Sequence, residues 1–65
     1  MRLIKFNQSF VRADRIVSVL KAVEDGGLFL EIRFERSETV LHIYFETEEK
    51  RNEKYNEIIS ILEAL

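Results

Sequence analysis

With 65 residues, no cysteine and one histidine, the chain has no route to a disulfide or a thiolate metal site and little with which to build a zinc site. A domain of this length buries only ~60% of the surface its unfolded chain exposes, so self-association is the expected further source of stability, and no cofactor or metal is expected. Net charge is −2 and the isoelectric point lies near 5.4, yet residues 1–21 carry a net +4 and residues 22–65 a net −6, an asymmetry suited to an anionic partner or to head-to-tail pairing of copies.

Leu3-Ile4-Lys5-Phe6 predicts a first strand with Ile4 and Phe6 on one face, closed by the turn-forming Asn7-Gln8-Ser9. Phe10-Val11 can resume pairing beyond that turn, and Ala13-Asp14-Arg15 reads as a short irregular corner. Ile16 to Val23 is a β-branched run too apolar to be half exposed, with Ile16, Ser18, Leu20 and Ala22 on one face and Val17, Val19, Lys21 and Val23 on the other. Glu24-Asp25-Gly26-Gly27 is the strongest turn signal, and its Asp-Gly pair favours a type I′ hairpin.

Beyond the hairpin, Leu28, Leu30, Ile32 and Phe34 share the core face, while Glu31, Arg33 and Glu35 look the other way, with Phe29 the exception. A slip of one residue would bury the charges, so the register is firmly set. In the next strand Leu41, Ile43 and Phe45 share one face, and Val40, His42, Tyr44 and Glu46 the other. That second face is not plainly polar. Together with Phe29 and part of Val17 and Val19 it forms an amphipathic patch, which a lone helix already covering the core face cannot also cover.

Tyr55, Ile58, Ile59, Leu62 and Leu65 recur at helical spacing in the tail from Glu48 to Leu65. Thr47 is the expected N-cap, and Glu48 and Glu49 suit the positive end of the helix dipole. The first two turns are nearly all charged or polar, so docking is expected to begin near Tyr55.

Few residues invite chemistry. His42 is the only imidazole, and its neighbourhood in sequence offers no orienting carboxylate beyond Glu46, so no catalytic residues are assigned and no enzyme is expected. The acidic residues show neither the spacing of a calcium loop nor a close carboxylate pair of glycosidase type, and Gly26-Gly27 has no following helix or lysine in P-loop spacing. Arg2, Lys5, Arg12 and Arg15, interleaved with Phe6 and Phe10, are the one feature with a nucleic-acid character: cations for phosphates and rings for stacking. Uninterrupted apolar stretches are far shorter than the ~20 residues of a membrane span, and the N-terminus reads as a strand without a small-residue cleavage site. No membrane contact and a cytoplasmic location are therefore expected.

A short first strand, a polar turn, Phe10-Val11-Arg12-Ala13-Asp14-Arg15-Ile16-Val17-Ser18-Val19, a hairpin and a Glu-Thr-Glu-Glu lead into a C-terminal helix together resemble small bacterial and phage ββββα proteins, among them the flagellar FlbD-like group. The local anchor of the resemblance is the Ala13-Asp14-Arg15-Ile16 corner; this chain differs in its longer, more charged helix and its Gly26-Gly27 hairpin. The resemblance implies a small accessory or regulatory protein without catalysis, and it carries over no functional residues.

The expected fold is α+β: one domain with an antiparallel sheet of four to five strands, followed by a C-terminal helix packed on one face. A closed SH3-like barrel is the alternative. The expected core is Ile4, Phe6, Ile16, Leu20, Leu30, Ile32, Phe34, Leu41, Ile43, Phe45, Ile58, Ile59 and Leu62, with the Ile16–Val23 strand free to swap which of its faces looks inward. The expected function is a non-catalytic, homo-oligomeric interaction or accessory module whose patch of Phe29, Val40, His42 and Tyr44 packs against a copy of itself or another protein. The alternative is a small nucleic-acid-binding regulator using Arg2, Lys5, Arg12 and Arg15.

Overall fold

Residues 2–65 are described by the computed structural model, and the predicted strands and helix are all present. β1 (Leu3–Phe6) and β2 (Ser9–Arg12) form a hairpin, and a 3-10 turn (Ala13–Arg15) leads into β3 (Ile16–Glu24), β4 (Gly27–Phe34) and β5 (Val40–Phe45). Helix α1 (Glu48–Glu63) closes the chain. All neighbouring strands are antiparallel.

One expectation is corrected at the level of the sheet. The five strands form two separate ladders, β1-β2 and β3-β4-β5, rather than one sheet of four to five strands or a hydrogen-bonded closed barrel. The break falls at the 3-10 turn, which carries the chain out of the first ladder. Its ends are tied by the Ala13 N–H donating to the Arg2 carbonyl and the Glu35 N–H donating to the Arg15 carbonyl, each at 2.9 Å. Ala13 is wholly buried there, where the turn meets the core.

Ile4, Phe6, Ala13, Leu30, Ile32 and Ile58 make the core, with Val11, Ile16, Val19, Phe34, Leu41, Ile43, Phe45, Tyr55, Ile61 and Leu62 packed around it. The inner face of β3–β4–β5 thus meets α1 and the inward face of the β1-β2 hairpin. Burying each large aliphatic side chain at its centre stabilises the fold by about 1.5–3 kcal/mol.

β3 departs from simple alternation. Ile16 pairs with Phe34 and Ser18 with Arg33, so Val17 is an extra residue in a β-bulge and lies exposed. The bulge puts Ile16 on the inner face with Val19, Lys21 and Val23, and turns Leu20 outward. Leu20 is therefore not a core residue; it is 53% exposed. Lys21 faces inward with its ammonium 4.8 Å from the centre of the Tyr55 ring.

The β3–β4 turn also differs from the type I′ expectation. Gly27 has φ +121°, whereas Asp25 and Gly26 have no positive φ, so the glycine that needs its conformational freedom sits at the end of the turn. In the first hairpin Asn7 takes the left-handed conformation (φ 54°), which short polar side chains tolerate.

Thr47 caps α1, its hydroxyl accepting from the Lys50 N–H at 3.1 Å. The helix docks earlier than its polarity predicts. Arg51 is only 8% exposed and donates from Nη1 to the Ala22 carbonyl at 2.9 Å. It continues the stripe through Tyr55, Ile58 and Leu62 by one turn. At the other end Leu65 is exposed, and Ile61 rather than Ile59 joins the ring around the core.

Candidate functional site

The outer face of β3–β4–β5 has no layer over it, yet it is not polar. The registers place three rows side by side: Ser18, Leu20 and Ala22 on β3, Arg33, Glu31 and Phe29 on β4, and Val40, His42 and Tyr44 on β5. The predicted patch of Phe29, Val40, His42 and Tyr44 is thereby brought together. Directly opposite residues share a face, so the β4–β5 pairing alone sets Phe29 beside Tyr44 and Glu31 beside His42.

Phe29 is the centre of the patch and is only 3% exposed. Its ring lies 4.8 Å from the His42 ring and 5.1 Å from the Tyr44 ring, both tilted, which is the offset geometry that aromatic quadrupoles favour. Tyr44 also reaches to 3.9 Å from where a Cβ would stand on Gly26 and Gly27, so it roofs both Phe29 and the hairpin while remaining 57% exposed itself. Burial of Phe29 thus leaves exposed apolar area on its neighbours.

A small ionic network borders the rings. Glu31 accepts from Arg33 at 3.3 Å and pairs with His42 Nε2 at 3.2 Å. The bond to His42 holds the Glu31 carboxyl below the usual carboxylate range, with Arg33 adding to the effect. His42 therefore finds its carboxylate across the ladder in Glu31, not in Glu46 just past the end of its own strand. The pair sits on an open sheet face, and no pocket is found among the described residues. Nor do three or more histidine or carboxylate side chains gather there as a metal-holding group.

Sequence reasoning assigns Leu20 to the core face, because the bulge hides its side, and places Glu31 on this face but not as the partner of His42, which the β4–β5 register supplies. Val19, expected in the patch, faces the core instead, and Val17 is the bulged residue.

The basic candidates lie elsewhere, around the first hairpin. Lys5 is opposite Phe10 and Leu3 is opposite Arg12 on its outward face, and Phe10 is 64% exposed. Phe6 belongs to the core, with Lys54 over its ring at 5.2 Å, so of the two phenylalanines only Phe10 offers a free ring. Arg12 is taken up by Asp14 through two bonds, at 2.7 and 3.1 Å, and that pairing lowers the Asp14 carboxyl and raises the Arg12 guanidinium. The Ala13–Arg2 bond brings the backbone of Arg2 to the turn that carries Arg15. Arg2, Lys5 and Arg15 enter no ion pair among the described residues.

No helix among the described residues is long and apolar enough to cross a membrane. No family model, curated protein or solved structure matches the chain.

Proposed function

We propose that this protein is a non-catalytic interaction module that self-associates through the outer face of β3–β4–β5. The observation that carries the reading is the Phe29 cluster: an aromatic residue buried without a covering layer, roofed by Tyr44 and flanked by an exposed Leu20. Tyrosine suits such a place because its ring supplies apolar area and its hydroxyl reaches the wet rim. The small core adds a motive, since a chain of this size gains stability by burying surface against a partner. The single histidine and its carboxylate on an open face fit an interface better than a substrate site.

Tyr44→Glu tests the reading. It sets a charge in the patch, and the expected result is dissociation of the assembly in light scattering with helix content retained in far-UV circular dichroism. An assembly of unchanged mass removes the patch from the interface.

A second reading, nucleic-acid binding by the first hairpin, is favoured by one observation: the exposed Phe10 ring beside Lys5. Under that reading Lys5→Ala with Phe10→Ala abolishes binding to single-stranded DNA or RNA, and affinity in the native chain falls steeply with salt. Binding unaltered by the double change rejects this surface.

A further inference from the structure

The two edges of the β3–β4–β5 sheet are built differently. Each has a ladder partner on one side only, which leaves the N–H and C=O of every second residue turned outward and open to a further strand. β3 carries the devices that discourage such pairing. It is bent by the bulge at Val17, it has a lysine at Lys21, and its Ala22 carbonyl is engaged by Arg51.

β5 carries none of them. Val40-Leu41-His42-Ile43-Tyr44-Phe45 has no charged residue, proline, glycine or bulge, and its inward residues Leu41, Ile43 and Phe45 are only half-buried although they pack on the core. An unguarded, apolar edge of regular register is open to a further strand.

We infer that the strand covering it is β5 of a second copy, paired antiparallel about a two-fold axis so that two three-stranded sheets become one of six. It rests on the self-association proposed above but moves the contact to the β5 rim of the outer face: the two outer faces lie side by side in one sheet, His42 and Tyr44 meet the partner strand, and Leu20 stays outside the contact. A two-fold perpendicular to the sheet keeps outer face beside outer face only when like-facing residues stand opposite one another, which puts either His42 or Ile43 on the axis.

Charge separates the two registers. With His42 on the axis, the register carried past both ends of β5 sets Glu38 toward the partner's Glu46, two acids just beyond the strands. With Ile43 on the axis, the partner's Glu46, one residue past its β5, comes to Val40 and the side of Arg33, a cation already shared with Glu31, and no second acid stands opposite it. That register also sets Leu41 beside the partner's Phe45 and His42 beside the partner's Tyr44, which extends the Phe29 ring cluster across the axis. A second copy thus supplies apolar and charged counterparts to β5 from β5 itself.

The chain has no cysteine, so a single introduced thiol reports alone. In the proposed dimer residues at position 43 face each other with Cα atoms about 4.5–5.5 Å apart, within disulfide reach. Those at position 20 are separated by two full sheets, about 24 Å at the ordinary strand spacing. Under mild oxidation Ile43→Cys is expected to lose its monomer band to a covalent dimer while Leu20→Cys does not, and in the unmodified chain all β5 amides are expected to be protected from deuterium exchange above the dimerisation concentration.

If Ile43→Cys fails to fold, the exchange experiment on the unmodified chain decides. A dimer by mass in which every second β5 amide exchanges fast, or in which Leu20→Cys cross-links, overturns edge pairing and leaves self-association standing. A monomer by mass at every concentration overturns both.

Discussion

The two faces of the β3–β4–β5 sheet bury apolar side chains by different means. On the inner face Leu30 and Ile32 lie under a second layer, α1 and the first hairpin, and no part of either is exposed. On the outer face Phe29 is nearly as buried, but its cover is its own sheet: the rings of His42 and Tyr44, which stay exposed. The first arrangement removes apolar area from water on both sides of each contact; the second hides one ring by presenting others. An inner face of this kind specifies a fold, whereas the outer one stores unsatisfied apolar surface that a partner can remove.

The sharpest way to test that contrast is to truncate one residue on each side. Leu30→Ala is expected to cost about 3–4 kcal/mol, because the layers above and below can collapse only partly into the cavity, and a urea titration would show it as a lower midpoint with an unchanged slope. Phe29→Ala is expected to cost less, about 2–3 kcal/mol, because water can enter a site with one thin roof. It should also weaken the assembly, which Leu30→Ala should do only through unfolding. Equal losses with no change in assembly would mean that the two faces are not energetically different.

Arg51 offers a smaller test, within the inner layer. Its Nη1 bonds to the Ala22 carbonyl and Nη2 reaches Asn52 weakly at 3.4 Å, but Nε is buried with no partner. Holding a guanidinium in that position without a carboxylate costs desolvation that its hydrogen bonds only partly return. Arg51→Met, which keeps the packing of the stem and removes the orphan donor, is therefore expected to change stability by no more than about 1 kcal/mol. A large loss, read from the same titration, would show that the bond to Ala22 anchors the helix.

Acid titration gives the smallest effect. Glu31 is held below its ordinary carboxylate range by His42 and then Arg33, and Asp14 by Arg12. A carboxylate depressed in the folded state contributes stability that is present above its unfolded pKa and is lost as pH falls through the folded one. A shallow loss is thus expected on the acid side of the carboxylate range. Glu31→Gln should flatten part of it and Asp14→Asn another part, measured as unfolding midpoints across pH.

Much of this architecture can be read from the residues. Glu31 and Arg33 at alternate places in β4 leave a single register, which gives its inner face, and the pairing with β5 carries that register to the grouping of Phe29, Val40, His42 and Tyr44. β3 resists the same reading. It is apolar on both faces, so nothing in its pattern marks Val17 as the extra residue, and Leu20 is assigned inward when it points out. Arg51 escapes for another reason: its spacing to Tyr55, Ile58 and Leu62 is that of a buried residue, but its charge argues for solvent, and a backbone carbonyl from a distant strand decides the matter. The separation into two ladders depends on how a three-residue turn is tied to Arg2 and Glu35, contacts that only the folded chain brings about.

Sedimentation or light scattering of the native chain, across a concentration series and with nucleic acid removed, tests the central claim most directly. The account predicts twice the chain mass, falling toward the single-chain mass on dilution and lost at working concentration in Tyr44→Glu. A single-chain mass at every concentration would contradict it and would mean that the outer face of the sheet, with Phe29 beneath Tyr44, is a finished surface of a monomer.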